Sequence, residues 1–281
     1  MEHITVSLKN VAKLTLLVVE AGSYTTESGR AVDISEAQAF SCENTTLYRP
    51  QDFPAKLISQ EEVPCRATVR VVDSRTTPAA ESLCRSGKNV ALLNFASARN
   101  PGGGFLKGAK AQEEDLCRCS GLYPTLLTQP DYYASNRKSE SLIYTDHLIY
   151  SPKVPFFKTE GRGKLSEEPF LCSVITAPAP NAAELRKHPD RREEIRAAFF
   201  RRWAMVLHVA KEHGHEHLVL GAWGCGAFGN EAEDSALAVR RCLRSAPFAE
   251  SFQEVLFAIP ERGKRSIHNS EVFQEILSTL A

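Results

Sequence analysis

Residues 93–120 read LNFASARNPGGGFLKGAKAQEEDLCRCS, and their order of strand, glycine loop and acidic helix start decides the fold. The segment opens on the end of an apolar run, Asn89 to Phe95, interrupted near its end by the amide of Asn94. A continuous run of this kind predicts a central strand buried on both faces. Gly102, Gly103 and Gly104 follow, behind Asn100-Pro101. Glycine raises the entropy cost of folding and supplies no side chain to pack, so three in a row must permit a backbone shape or a close approach. At the carboxyl end of a strand, such a loop can turn its amide N–H groups onto an anion, most often a phosphate or diphosphate. After seven more residues comes Gln112-Glu113-Glu114, within reach of whatever the loop holds.

Upstream of this segment, Ala67 to Val72 (ATVRVV) reads as a strand, and Thr77-Pro78 opens a helix through Ser86 with proline in its first turn. Strand, helix, strand predicts a parallel or mixed sheet with helices on both sides, and places ligands at the carboxyl ends of the strands, where the glycine loop falls. Downstream, residues 112–128 read as one helix with Leu116, Ser120, Tyr123 and Leu127 on a face, closed by Pro130. Residues 131–170 read as irregular, with short strands at Leu148–Tyr150 and Val154–Lys158. Strands then fall at Leu171–Thr176, Leu218–Ala222 and Phe252–Ile259, and helices at Arg191–His213, Asp234–Ser245 and Glu271–Leu280. The first 60 residues read as an appendage. A helix over 5–21, with Leu8, Val11, Ala12, Leu14, Thr15 and Val18 on its apolar face, stops at Gly22, and a hairpin spans Tyr24 to Ile34. The expectation is an α/β protein: a catalytic domain over 61–281 built as three α/β/α layers on a mixed sheet, preceded by a helix and hairpin. A doubly wound dinucleotide fold would alternate similarly. Gly224-x-Gly226-x-x-Gly229 fits its glycine spacing by count, which by itself is a weak match.

Bulk composition excludes several classes. The 281 residues carry 34 basic and 34 acidic side chains, so no global field attracts a polyanion and no direct nucleic-acid reader is expected. The first apolar run is short and broken by Lys13, which argues against a signal peptide or membrane span and for an intracellular, cytoplasmic protein. Eight cysteines without a Cys-x-x-Cys read as free thiols of a reducing compartment, leaving the sequon at Asn44-Thr45-Thr46 unused.

A second block, Leu220 to Asn230 (LGAWGCGAFGN), completes a pattern. With the three glycines and Gln112-Glu113-Glu114, it resembles the microbial-type poly(ADP-ribose) glycohydrolases, which are macrodomain hydrolases, over most of the chain from about residue 60. The resemblance implies hydrolysis of ribose–ribose O-glycosidic bonds to release ADP-ribose, with no metal or redox cofactor. It makes Glu114 the general acid that protonates the departing ribose 2′-oxygen and then activates water. Glu113 would hold the ribose hydroxyls and Gln112 would position. Gly102, Gly103 and Gly104 would grip the diphosphate from one side, and Gly224, Cys225, Gly226 and Ala227 from the other. Phe228 would pack on a ribose or adenine face, with Asn94 and Asn100 beside the distal ribose. The residue types suit the chemistry. An oxocarbenium-like transition state needs a proton donor at the leaving oxygen, and burial plus a like-charged neighbour raises a carboxyl enough to supply one.

Plainer readings stand beside these. The glutamate pair also suits a solvated first helical turn, where carboxylates favour the macrodipole. Phe228 also suits core filling, Asn94 a strand end, and Cys225 small-residue filler, since no local histidine activates it. His213-Gly-His215-Glu-His217 places alternating histidines that would share a face on a strand, but without a cysteine at ligand spacing it reads as a polar turn rather than a zinc site. The arginine pairs at 191–192, 201–202 and 240–241 read as helix surface. Cys117 and Cys119 on a helix do not face each other. The expected partners are poly(ADP-ribose), ADP-ribose and ADP-ribosylated proteins, met by a monomer. Removal of single ADP-ribose units from protein or nucleic acid, and binding of ADP-ribose without cleavage, are the two alternatives. A pure binder gains little from carboxylates close to a diphosphate.

Overall fold

The computed structural model describes residues 7–280, so expectations resting on residues 1–6, including the first two positions of the N-terminal helix, lie outside the described residues. Val90–Phe95 is β5 when the strands are counted in chain order, and its side chains explain the layers. Ala91 and Leu93 join one apolar core with Phe199, Trp203, Val239 and Phe273, while Val90 and Leu92 join another with Leu83, Leu116, Leu126 and Tyr132. Alternate residues of a strand point to opposite faces, so one continuous apolar run feeds two cores. Each fully buried leucine contributes roughly 1.5–3 kcal/mol.

The chain begins with α1 (Leu8–Ala21), the hairpin β1 (Ser23–Thr25) and β2 (Ala31–Asp33), α2 (Ser35–Glu43) and β3 (Thr46–Tyr48). β4 (Thr68–Val72) and α3 (Thr76–Arg85) lead into β5, and α4 (Gln112–Cys119), α5 (Leu122–Leu127) and α6 (Pro130–Lys138) follow the glycine loop. The remainder is β6 (Leu148–Phe156), β7 (Phe170–Ala177), α7 (Arg192–Glu212), β8 (His217–Leu220), α8 (Ala232–Leu243), β9 (Glu254–Ala258) and α9 (Lys264–Ser278). Seven strands form one mixed sheet in the order β3-β6-β7-β5-β8-β9-β4, antiparallel at β3-β6-β7 and parallel from β7 to β4. Helices α3 to α6 cover one face and α7 to α9 the other, which is the three-layer α/β/α arrangement expected.

Several elements differ from their sequence reading. The single helix expected over 112–128 is two, because Ser120 is extended and bridges Phe156, and the Gly121 N–H donates to Pro155 O at 2.9 Å. Pro130 does not end a helix but starts α6, its fixed φ suiting a first turn. The two short strands are one, β6, kinked by a bulge between Ser151 and Val154. The first 60 residues contribute β3, an edge strand of the main sheet, so they are joined to it by backbone pairing. On α1, Val11, Ala12 and Thr15 are buried, whereas Leu14 points outward. Arg202 is wholly buried instead of lying on the surface: Nε donates to Asp146 Oδ1 at 2.7 Å, Nη1 to Pro178 O at 2.9 Å, and Nη2 to Ile143 O at 2.7 Å. It is tolerated because its donors are paired, and burial, its largest perturbation, pulls its pKa down.

Candidate active site

The carboxyl ends of β5, β8 and β9 open into a cavity of about 850 Å³. Ten of the thirteen residues singled out from sequence line it: Asn100, Gly103, Gly104, Gln112, Glu113, Glu114, Gly224, Gly226, Ala227 and Phe228. The other three sit behind the wall. Asn94 is fully buried, its Nδ2 donating to Glu113 Oε1 at 3.3 Å and Thr176 Oγ1 at 3.2 Å. Gly102 packs below the loop, where a Cβ would come within 2.8 Å of the Tyr123 ring. Cys225 turns inward, its Sγ 3.5 Å from Trp223 O, and burial pushes its thiol up to about 12, which suits filler and not a nucleophile at neutral pH.

Helix α4 starts at Gln112 with three acidic side chains, Glu113, Glu114 and Asp115, in its first turn, where the helix dipole favours them. Gln112 fixes that start against the sheet. Its Oε1 accepts the Phe95 N–H at 2.8 Å, and its Nε2 donates to Leu93 O at 2.8 Å and Thr76 Oγ1 at 3.1 Å, so the amide side chain continues the hydrogen bonding of β5. Successive residues on a helix point about 100° apart, yet both glutamates face the cavity, because the glycine loop wraps around the helix start. The Ser97 N–H donates to Glu113 Oε2 at 2.7 Å, and the Gly104 N–H donates to Glu114 Oε1 at 2.7 Å. Both carboxyls are buried. Desolvation pushes the Glu113 carboxyl up to about 8 against the Ser97 and Asn94 donors, which favour its charged form, and the neighbouring Glu114 charge adds to the rise. Glu114 lines the cavity, and its Oε2 is buried with no partner among the described residues.

The two glycine loops therefore divide differently from the expectation. In the first, Gly104 serves a carboxylate and the Gly103 N–H donates to Asn100 O at 3.0 Å, so these amides are spent on the protein itself. In the second, between β8 and α8, no acceptor among the described residues takes the N–H groups of Gly226, Ala227 or Phe228, while Asn230 braces the loop by donating to Gly224 O at 2.9 Å and Pro180 O at 2.7 Å. Consecutive unpaired amides of this kind form an anion-binding concavity. Phe228 stands at the rim with Tyr144, their ring centroids 6.0 Å apart, on the loop that Arg202 anchors from below.

The sequence reading missed Ser97, Lys107, Tyr123, Ser266 and Asn269 in the cavity wall. Lys107 was within sight as the first cation after the glycines. Ser266 and Asn269 arrive on α9, far along the chain, and carry no local signal. Two of the three histidines of 213–217 are otherwise engaged: Tyr48 OH pairs with His213 Nε2 at 2.9 Å and Tyr150 OH with His215 Nε2 at 2.8 Å. Among the described residues no group of three or more His, Cys, Asp or Glu side chains is arranged to hold a metal ion.

Residues 12–159 match the family model described as the microbial-type PARG catalytic domain. Among solved structures, the chain is similar to poly(ADP-ribose) glycohydrolase from Thermomonospora curvata bound to the inhibitor ADP-HPD, at 40% identity and a TM-score of 0.87, covering 95% of this chain and 98% of that one. It is also similar to the Deinococcus radiodurans poly(ADP-ribose) glycohydrolase in complex with ADP-ribose, at 38% identity and a TM-score of 0.78, covering 86% of this chain and 97% of that one. No curated protein matches.

Proposed function

The chain belongs to the microbial-type poly(ADP-ribose) glycohydrolases, and from that premise we propose how its own residues divide the work of cleaving a ribose–ribose bond. The enzyme is a glycosidase of the poly(ADP-ribose) glycohydrolase type. The observation that carries the assignment of roles is the buried, unpartnered Oε2 of Glu114 beside Glu113, whose carboxyl is held by backbone and amide donors.

In this reading an ADP-ribose unit lies along the cavity with its diphosphate on the free amides of Gly226, Ala227 and Phe228. Glu114 Oε2 donates a proton to the ribose 2′-oxygen as the C1″–O bond breaks, and the charge develops on the ribose ring as an oxocarbenium-like species. Water then attacks C1″ and gives its proton to the Glu114 carboxylate, which restores the acid. Glu113 orients the ribose hydroxyls. Holding the sugar against Glu114 turns proximity into effective concentration. Phe228, with Tyr144 behind it, covers one face of the bound unit. ADP-ribosylated proteins are the source of such chains. The eight cysteines, all free, suit work in a reducing compartment. No helix among the described residues is long and apolar enough to cross a membrane.

One observation favours a second reading. The carboxyl pushed up to about 8 is that of Glu113, which suits a group holding a proton at neutral pH and would make Glu113 the acid. Incubation with labelled poly(ADP-ribose) separates the two. We expect Glu114→Gln to lose about 10²–10⁴ in turnover, the range of a general acid, while calorimetry shows ADP-ribose affinity unchanged within a few-fold. If Glu113→Gln instead shows that pattern and Glu114→Gln turns over, the roles are exchanged.

A further inference from the structure

Behind the α4 side of the cleft lies a second cavity, of about 490 Å³, that the chemistry above does not use. Ala111 and Gln112 form the partition between the two, and Phe95, Ala258 and Pro260 border both. Its charge is lopsided. Arg75, Lys110, Arg118, Arg162 and Arg262 line it against only Asp115 and Glu160. Asp115 lies 3.5 Å from both Arg75 and Arg118 and offsets part of this charge, but like charges in a concave site repel unless a counter-charge arrives, so the remaining positive excess suits an anion.

Two independent features point the same way. Helix α3 begins in this cavity at Thr76 and Thr77, and no side chain caps it, so its first amides and the positive end of its dipole are open to a ligand. Arg118 is only 2% exposed, and its Nε is buried with no partner, although Nη1 donates to Ala109 O at 2.7 Å. Leaving a buried guanidinium donor unpaired costs free energy that a ligand oxygen would recover. Gly161 packs against this guanidinium, where a Cβ would sit 2.5 Å from Asp115 Oδ1 and 2.8 Å from Arg118 Nε.

We propose that this cavity is a second anion subsite that takes the diphosphate of the polymer unit adjoining the one being cleaved. The proposal rests on the poly(ADP-ribose) reading above, in which successive units each carry a diphosphate and the partition at Gln112 separates one from the next. Arg162 and Arg262, both exposed at the mouth, meet the polymer first, and the α3 amides and Arg118 receive the phosphate oxygens deeper in.

The test uses the full chain with Arg162→Gln and Arg262→Gln together, and with Arg66→Gln as a control, an exposed arginine paired to Glu250 at the amino end of β4. Loss of two charged contacts is expected to raise KM for chains of several units about tenfold, with affinity for single ADP-ribose unchanged by calorimetry. The salt dependence of KM should also flatten relative to the control. Titration with inorganic pyrophosphate, in the presence of saturating ADP-ribose, should show one further site in the wild type and none in the double variant. An unmoved KM beside pyrophosphate binding would mean the cavity takes a free anion and would overturn the assignment to the polymer. No pyrophosphate binding and an unmoved KM would overturn the subsite while leaving the glycohydrolase intact. A wild type that binds pyrophosphate there but cuts no polymer would instead sink the reading on which the proposal rests.

Discussion

Burial of Glu113 removes its carboxyl from water while the Ser97 N–H and Asn94 amide keep donating to it, and the balance goes to desolvation, so the proton is held up to about pH 8. In the unfolded chain the same side chain titrates near the ordinary glutamate value, about 4.3. Between those values the native state binds a proton that the unfolded state has released, so the contribution of Glu113 to stability is full at low pH and is lost as pH rises through about 8. Denaturant titrations of wild type and Glu113→Gln at pH 5, 6, 7, 8 and 9 should give a difference in unfolding free energy that falls steadily against the wild type and levels off above 8. A difference independent of pH would mean that Glu113 titrates normally in the fold. Gly103 presses on the same pair. It has φ +58, and a Cβ there would overlap Glu114 Oε1 and lie 3.0 Å from Glu113 Oε2. Gly103→Ala must therefore push the carboxylates out of position, and the expected result is a loss of turnover of about 10²-fold, as for a misplaced catalytic group.

The second glycine loop behaves as an element of another kind. Gly224 has φ +81 and is hemmed in by Ala179 Cβ at 2.8 Å, Asn230 Nδ2 at 2.8 Å and the Phe199 ring at 2.9 Å. Gly224→Ala should lower stability by roughly 1–3 kcal/mol through backbone strain and the clash. Gly226 meets nothing within 4 Å, so Gly226→Ala should leave stability alone and weaken ADP-ribose binding only if the backbone approaches the ligand there. Thermal melts and calorimetry on the two variants distinguish a structural glycine from a ligand-facing one. Local sequence made both loops visible, because three glycines, or glycines spaced through an aromatic block, carry their meaning within a few residues. It did not divide their labour. That division depends on which amides meet a protein acceptor, and Glu114 and Asn100 are reached only after the loop has folded around α4. The same limit split the helix expected over 112–128. Leu116, Ser120, Tyr123 and Leu127 do keep helical spacing, but the pairing of Ser120 with Phe156 across the fold overrides it. Arg202 is the sharpest case: a charged residue on a helix reads as surface until Asp146 and three carbonyls close over it.

For the whole molecule the instructive stretch is the first 60 residues. A helix and a hairpin followed by two prolines read as an appendage because nothing in residues 46–48 announces a partner about 100 positions away. Thr46–Tyr48 nevertheless pairs with Leu148–Tyr150 and covers the β6 edge of the sheet. Helix α1 is tied in as well. Buried Thr15 donates to Arg118 O at 3.0 Å and accepts from Lys158 Nζ at 3.3 Å, which links α1 to the end of α4 and the segment after β6. Helix α4 carries the two glutamates, so its far end is held by a residue from outside the expected catalytic domain. A chain beginning at residue 61 would leave β6 as an exposed edge with unpaired backbone groups, a template for aggregation. It would also leave the Lys158 ammonium without its hydroxyl. We expect that truncation to express as insoluble protein, and a soluble, active fragment would show that residues 1–60 are dispensable. Thr15→Val keeps the shape and removes only the hydroxyl. Leaving buried donor and acceptor groups unpaired costs about 1–3 kcal/mol, so this variant should fold, show a lower denaturation midpoint with an unchanged denaturant slope, and retain its affinity for ADP-ribose. A midpoint equal to the wild type would mean that the α1 contact is carried by Val11 and Ala12 alone.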